Sequence, residues 1–312
     1  MSAEKHIWFK LALQVQGSVI VSIMPRVLFC GGLGLLISVL YALKLPVSWP
    51  SILIPVLSLV LGLLLVFRTN TAYDRFWEGR KCWGVLIINI RNLARQIWCF
   101  VDEIKPEDRE AKKESLHLLM AFAVAMKLHL RGEKINSEVE ELISPSRYIK
   151  LQTMTNPPLE IAFWIADYLK QQQGKNCLDS YQIMAMNQHL NSMVEALSGC
   201  ERILRTPIPL AYAIHLKQLL LIYCLGLPFQ MVKDLTWWTA PVVTVLSFAL
   251  FGIEEIGIEI ENPFGYDKND LPLDAICATM RQNIEDLMTL SPTKMDDATR
   301  QNFEVPVIPN WE

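Results

Sequence analysis

The chain has 312 residues, of which 52% are hydrophobic and only 20% charged, and its mean hydropathy is +0.25. That balance is high for a soluble protein and points to apolar surface facing lipid. A net charge of −3 with a pI near 6.0 excludes a broad basic face for nucleic acid, and seven scattered cysteines with no CxxC pair exclude a disulfide framework and a zinc site.

In chain order, residues 1–25 carry no basic flank, apolar core and small-residue cleavage site in series. No signal peptide is expected there, and we read the stretch as an N-terminal amphipathic segment. A first transmembrane hairpin is expected over 26–67. Val27 to Leu43 lies between Arg26 and Lys44, and Ser51 to Phe67 is closed by Arg68. Each apolar run is 17 residues long, the lower limit for crossing about 30 Å of hydrocarbon at about 1.5 Å per residue. The connector between Pro46 and Pro50 supplies two helix breakers and an interfacial Trp49.

Residues 68–206 are expected to form a charged, helical, cytosolic region. Residues 83–101 place Asn89, Arg91, Asn92 and Arg95 at helical spacing among apolar pairs. Glu107 to Glu114 reads as a helix start, Ser115 to Leu130 is apolar at three- and four-residue intervals, and Pro157-Pro158 interrupts before Ile161 to Gln171 resumes. A second hairpin follows over 207–253. Pro207 to Val232 and Leu235 to Ile253 are separated by a small turn at Lys233-Asp234, with Trp237 and Trp238 at the interface. Residues 254–312 complete the chain as a C-terminal cytosolic segment. A buried core hairpin in a soluble helical protein is the alternative, which two hairpins of matching length disfavour.

The hairpin turns hold only Lys44 and Lys233, whereas the other flanks hold Arg26, Arg68, Arg75, Arg80, Lys81, Arg202 and Arg205. This bias places both termini and the middle of the chain in the cytoplasm or its equivalent. No Walker A loop, GxGxxG, HExxH or nucleophile elbow occurs, and the five histidines lack metal-ligand spacing. We therefore expect no enzyme, no cofactor and no metal.

Four stretches then resemble the bestrophin family, particularly its prokaryotic and plastid branch. They are Leu64 to Gly84 (LLVFRTNTAYDRFWEGRKCWG), His129 to Gly132 (HLRG), Cys200 to Tyr212 (CERILRTPIPLAY) and Glu261 to Asp274 (ENPFGYDKNDLPLD). The resemblance implies an all-α membrane protein with four transmembrane helices in two hairpins plus a helical cytosolic body. It implies a homopentamer whose second spans line a central neck above a cytosolic vestibule, in a cell inner or thylakoid membrane. The partners implied are further copies of the chain, the lipid bilayer and permeant small ions.

Leu59, Leu63 and Phe67 recur every four positions on one helical stripe, and Gly62 beside them allows close approach of a neighbouring helix. Rings of such side chains would form a dewetting constriction; aligning on Gly62 instead would make the neck Pro55, Leu59 and Leu63. Ile208, between Pro207 and Pro209, matches the family position that narrows the cytosolic aperture, or else Pro-Ile-Pro only starts the helix. Asp267 and Asp270 fall where animal members hold calcium. The loop here has Lys268 amid the ligands and fewer acids than calcium prefers, so we expect conduction without calcium. Those aspartates alternatively cap the next helix, with Pro272 in its first turn.

Lys217 is a charge inside a span and so a functional candidate, with an ion pair to Glu254 or Glu255 as the alternative. The resulting expectation is a passive anion channel for chloride and bicarbonate. A monovalent cation (sodium) channel is the first alternative, and a membrane scaffold or receptor without flux the second.

Overall fold

Within the described residues, each expected apolar segment folds mainly as helix. The computed structural model describes residues 14–50 and 53–291, so residues 1–13, most of the N-terminal amphipathic segment, and residues 292–312 lie outside the described part. Ten α-helices appear in it: α1 (Ile20–Ala42), α2 (Leu53–Phe100), α3 (Pro106–Leu130), α4 (Ser137–Glu140), α5 (Pro145–Leu151), α6 (Pro157–Gly174), α7 (Ser180–Arg205), α8 (Leu210–Leu235), α9 (Thr239–Glu259) and α10 (Leu273–Thr289). A 3₁₀ turn at Thr236–Trp238 links α8 to α9, and no strand occurs among the described residues.

Four differences from the sequence reading have local causes. α1 starts at Ile20 rather than at Arg26, because the apolar run upstream continues the helix through Pro25. The expected boundary at 67/68 falls inside one unbroken helix of 48 residues. No Gly or Pro lies between Gly62 and Gly79, so nothing stops the helix when its composition turns polar. At the second hairpin, α8 runs past Lys233 and Asp234 to Leu235, and the chain turns at Thr236, whose φ is 48°. The Thr236 carbonyl accepts from the Ser38 hydroxyl at 2.9 Å, which fixes that left-handed residue against α1. Pro157 and Pro158, read as an interruption, instead open α6, where Asn156 Oδ1 accepts the Leu159 N–H at 3.3 Å.

The chain divides into two compact units. The first takes in residues 1–84, 130–132 and 196–273. Its core joins Ile23, Val27 and Cys30 of α1, Leu61 and Leu65 of α2, Leu216, Leu220 and Cys224 of α8, and Val243 and Phe251 of α9. A Cβ added at Gly34 would lie 3.0 Å from the Ala240 Cα, and one at Gly31 would collide with the Thr244 hydroxyl. α1 and α9 therefore meet along a seam of small residues, the arrangement by which helices pack when lipid removes the hydrophobic drive. Among the described residues, three stretches are long and apolar enough to cross a bilayer: α1, the run from Pro55 to Phe100, and α8 with α9.

The second unit takes in residues 85–129, 133–195 and 274–312. α3 is its centre, with all residues from Leu118 to Leu128 buried. Lys127, also buried, places its ammonium 2.7 Å from Glu138 and 2.8 Å from Asp274. Burial alone would depress its pKa, but the two carboxylates outweigh that and hold it above the usual lysine value. Lys112 is held by the Val101 carbonyl at 2.7 Å and by Glu103 at 3.1 Å.

Candidate functional site

The apolar N-terminal part of α2 divides into two faces. Leu61 and Leu65 are 2% exposed and point into the first unit's core. Leu59, Leu63 and Phe67 are 67%, 52% and 61% exposed on the other side. The predicted stripe is thus an uncovered apolar surface of the single chain, and Val56, Val60 and Val66 extend it. A Cβ at Gly62 would meet nothing within 4 Å, so among the described residues no helix uses the space this glycine leaves.

Just past Phe67 the chemistry changes. Arg68 is 4% exposed, and its Nη2 donates to Glu261 Oε2 at 3.1 Å. Glu261 Oε1 accepts the backbone N–H of Ile208 at 3.1 Å. One turn further along α8, the Tyr212 hydroxyl donates to the Leu64 carbonyl at 2.6 Å. Arg75 adds a second layer: its Nε donates to the Glu261 carbonyl at 3.1 Å, Nη2 to the Ile203 carbonyl at 2.7 Å, and Nη1 to the Thr206 carbonyl. Ile208, half-buried, therefore lies beside the polar end of the Leu59–Phe67 stripe. The prolines on either side keep it out of helix, and α8 begins only at Leu210.

Lys217 is exposed on α8. The carboxylates expected as its partners are also contacted by Arg26, whose Nη1 stands 3.5 Å from Glu254 and 2.9 Å from Glu255. Lys217 also acts electrostatically on Glu254, ahead of Arg26.

Asp267 and Asp270 are brought together within their loop. The Asp267 N–H donates to Asp270 Oδ2 at 2.8 Å, and the Asp270 N–H returns to the Asp267 carbonyl at 3.0 Å. A Cβ at Gly265 would lie 2.6 Å from Asp270 Oδ2, so only glycine fits there. Burial pushes the Asp270 carboxyl above the usual aspartate range. The loop's other anchors are cationic or amide side chains. Arg131 Nε donates to the Phe264 carbonyl at 3.2 Å and its guanidinium stacks 3.9 Å from the Tyr266 ring centroid. Asn269 Nδ2 donates to Glu259 at 2.8 Å and to the Gly17 carbonyl at 3.2 Å. Among the described residues, no three His, Cys, Asp or Glu side chains are grouped to hold a metal ion.

Sequence reasoning did not find Arg26, Arg68, Arg75 or Glu261 as site residues, and named Glu254 only as a partner for Lys217. The one available signal was Arg68 and Arg75, seven apart and hence on one face of α2 where its apolar run ends.

This architecture recurs in known proteins. The sequence profile described as "Bacterial/Fungal Bestrophin protein" matches residues 1–286. The chain belongs to the bestrophin family. A voltage-dependent anion channel-forming protein of Nostoc sp. is 65% identical over 290 residues, covering 93% of this chain and 94% of that relative. A protein of the same description from Synechocystis sp. is 53% identical over 295 residues, covering 93% of this chain and 95% of its own length. The crystal structure of a bacterial bestrophin homolog from Klebsiella pneumoniae superposes with a TM-score of 0.79 at 27% identity, covering 86% of this chain and all of that one. With its long apolar helices, this bestrophin is an integral membrane protein.

Proposed function

We propose that this bestrophin is a passive anion channel, conducting chloride and also bicarbonate through the central axis of a homopentamer. The observation that carries the reading is the stripe of Leu59, Leu63 and Phe67, exposed on a helix whose opposite face is packed. A single chain leaves this surface uncovered and has too few spans to enclose a pathway. Copies arranged around an axis would turn it into rings of apolar side chains, a constriction gated by dewetting. The descriptions of the Nostoc and Synechocystis relatives support the anion as cargo.

In this reading Ile208 narrows the path just inside the neck, on the cytosolic side. Lys217, exposed within a span, supplies positive charge that favours anions. Both termini lie in the cytoplasm, as the Lys/Arg bias requires. The Asp267–Asp270 loop is set by Arg131 and Asn269 and by its own backbone, so opening does not depend on calcium.

Purified protein reconstituted in liposomes, with a calcium chelator present, tests this directly. In a potassium chloride gradient the reversal potential should lie near the chloride equilibrium value. A value near the potassium equilibrium would make the chain a cation channel. Absence of flux in well-sealed vesicles would leave a membrane scaffold.

A further inference from the structure

A basic residue placed immediately after a pore-lining segment suggests a ring of positive charge offered to passing anions. The geometry around Arg68 points elsewhere. Its side chain is 4% exposed within one chain, and it lies along Gly257, where a Cβ would come within 3.5 Å of both Cγ and Nε. Among the described residues, Nε and Nη1 are buried without a partner, and the guanidinium's one direct contact to an acceptor is Glu261. Glu261 in turn spends its second oxygen on the N–H of Ile208. That amide stands alone: Pro207 and Pro209 have no N–H, and Ile208 precedes the helix, so no regular backbone partner exists for it. A carboxylate accepts both contacts at once, whereas an amide in its place would have one acceptor and one donor.

We propose that Arg68 and Glu261 are positioning residues, a buried ion pair that holds the Ile208 backbone against the cytosolic end of the Leu59–Phe67 segment, and that neither presents its charge to permeant ions. The role assigned to Ile208 rests on the channel reading above; the strut itself does not. Arg75 supports the same residues from the other side, through the Glu261 and Thr206 carbonyls. The strut sets how far Ile208 stands from the end of the neck, so loosening it changes discrimination among anions and leaves the preference for anions over cations intact.

The test uses the full-length protein in lipid nanodiscs and bilayers, with Glu261→Gln, Arg68→Lys, Ile208→Ala and the double variant Glu261→Gln/Ile208→Ala. Amide hydrogen exchange at Ile208 should quicken about tenfold in Glu261→Gln, as expected for loss of a charge-assisted hydrogen bond. Chloride, bromide and nitrate permeability ratios should move as they do in Ile208→Ala. The double variant should add little to either single change, because both act through one side chain. The chloride-to-sodium ratio should stay within about twofold, since no charge facing the ions is lost.

Unchanged exchange at Ile208 in Glu261→Gln would overturn the strut, whatever the currents do. So would a collapse of anion preference in Glu261→Gln or Arg68→Lys, which would put those charges in the pathway. If Ile208→Ala alone altered no ratio, the aperture reading would fall while the exchange measurement still decided the strut. Should Glu261→Gln fail to assemble, Arg68→Lys, which keeps the charge but loses the planar fork, is read by the same two measurements.

Discussion

Helices α1 and α3 are both built from long apolar runs, yet they bury opposite shares of them. In α1 only 28% of the apolar window is buried, and Leu28, Phe29, Leu35 and Leu36 face outward. In α3 every residue from Leu118 to Leu128 is buried, including a lysine. An apolar helix covered on all sides is the centre of a packed core. One covered along a single seam needs lipid or another subunit to complete it. The two units also treat charge differently. The first keeps Arg68 and Glu254 buried where its apolar helices turn polar, while the second buries Lys127 at the end of its central helix.

The sharpest way to break this contrast is to make one substitution in both places. Phe122→Ala should destabilise the protein by about 3–5 kcal/mol, because a buried ring is removed from close packing. Phe67→Ala should change stability by less than about 0.5 kcal/mol, since its ring is exposed, and should raise single-channel current by widening the neck. Thermal unfolding in detergent and bilayer recording measure the two. A loss as large at Phe67 as at Phe122 would place that ring in a subunit contact rather than on the pathway.

A smaller effect tests the buried lysine. Glu138→Gln together with Asp274→Asn should cost about 2–4 kcal/mol, because an ammonium is left buried without its counter-charges. Lys127→Met should cost less than about 1 kcal/mol, because the carboxylates it frees are 49% and 61% exposed and regain water. Equal costs from the two sides would show that the pair is not asymmetric in burial.

The smallest effect concerns His189, where burial, reinforced by the positive charge of Arg95, holds the imidazole below the usual histidine value. Its Nδ1 faces Asn89 Oδ1 at 2.9 Å and its Nε2 faces the Gln96 amide nitrogen at 3.1 Å, a pairing that suits the neutral ring with Nδ1–H donating. A depressed folded value means that this contribution is fully present above the unfolded pKa of about 6.5 and is lost as pH falls below it. Between pH 7 and 5 the wild type should therefore lose about a degree or two more in melting temperature than His189→Gln. A parallel loss in both would remove His189 from the second unit's acid sensitivity.

Much of this was legible from local pattern. Three- and four-residue periodicity, sparse Gly and Pro and uncharged runs suffice to mark the helices and the apolar segments, because those signals act within a turn or two of chain. Their ends were less legible. α2 continues past Phe67 because polarity alone does not end a helix, and α8 continues past Lys233 because the stop is set by Thr236 resting on Ser38 of another helix. The ion pairs were least legible. Arg68 meets Glu261 across 193 positions and Arg26 meets Glu255 across 229, so neither pairing leaves a local trace. Glu254 and Glu255 looked equally open to Lys217, and Arg26 reaches them because α1 is the helix packed along α9.

The small-residue seam between α1 and α9 bears on the order of events in the membrane. Contacts at Gly31 and Gly34 lie wholly within one chain, so the helical bundle can close before any second copy arrives. The outward leucines and valines of α1 and α2 remain uncovered at that stage. If copies assemble as proposed above, biogenesis would have two separable steps, a unimolecular closure insensitive to expression level and a concentration-dependent meeting of finished subunits. A bulky residue at Gly34 would act on the first step, and no excess of chain would rescue it.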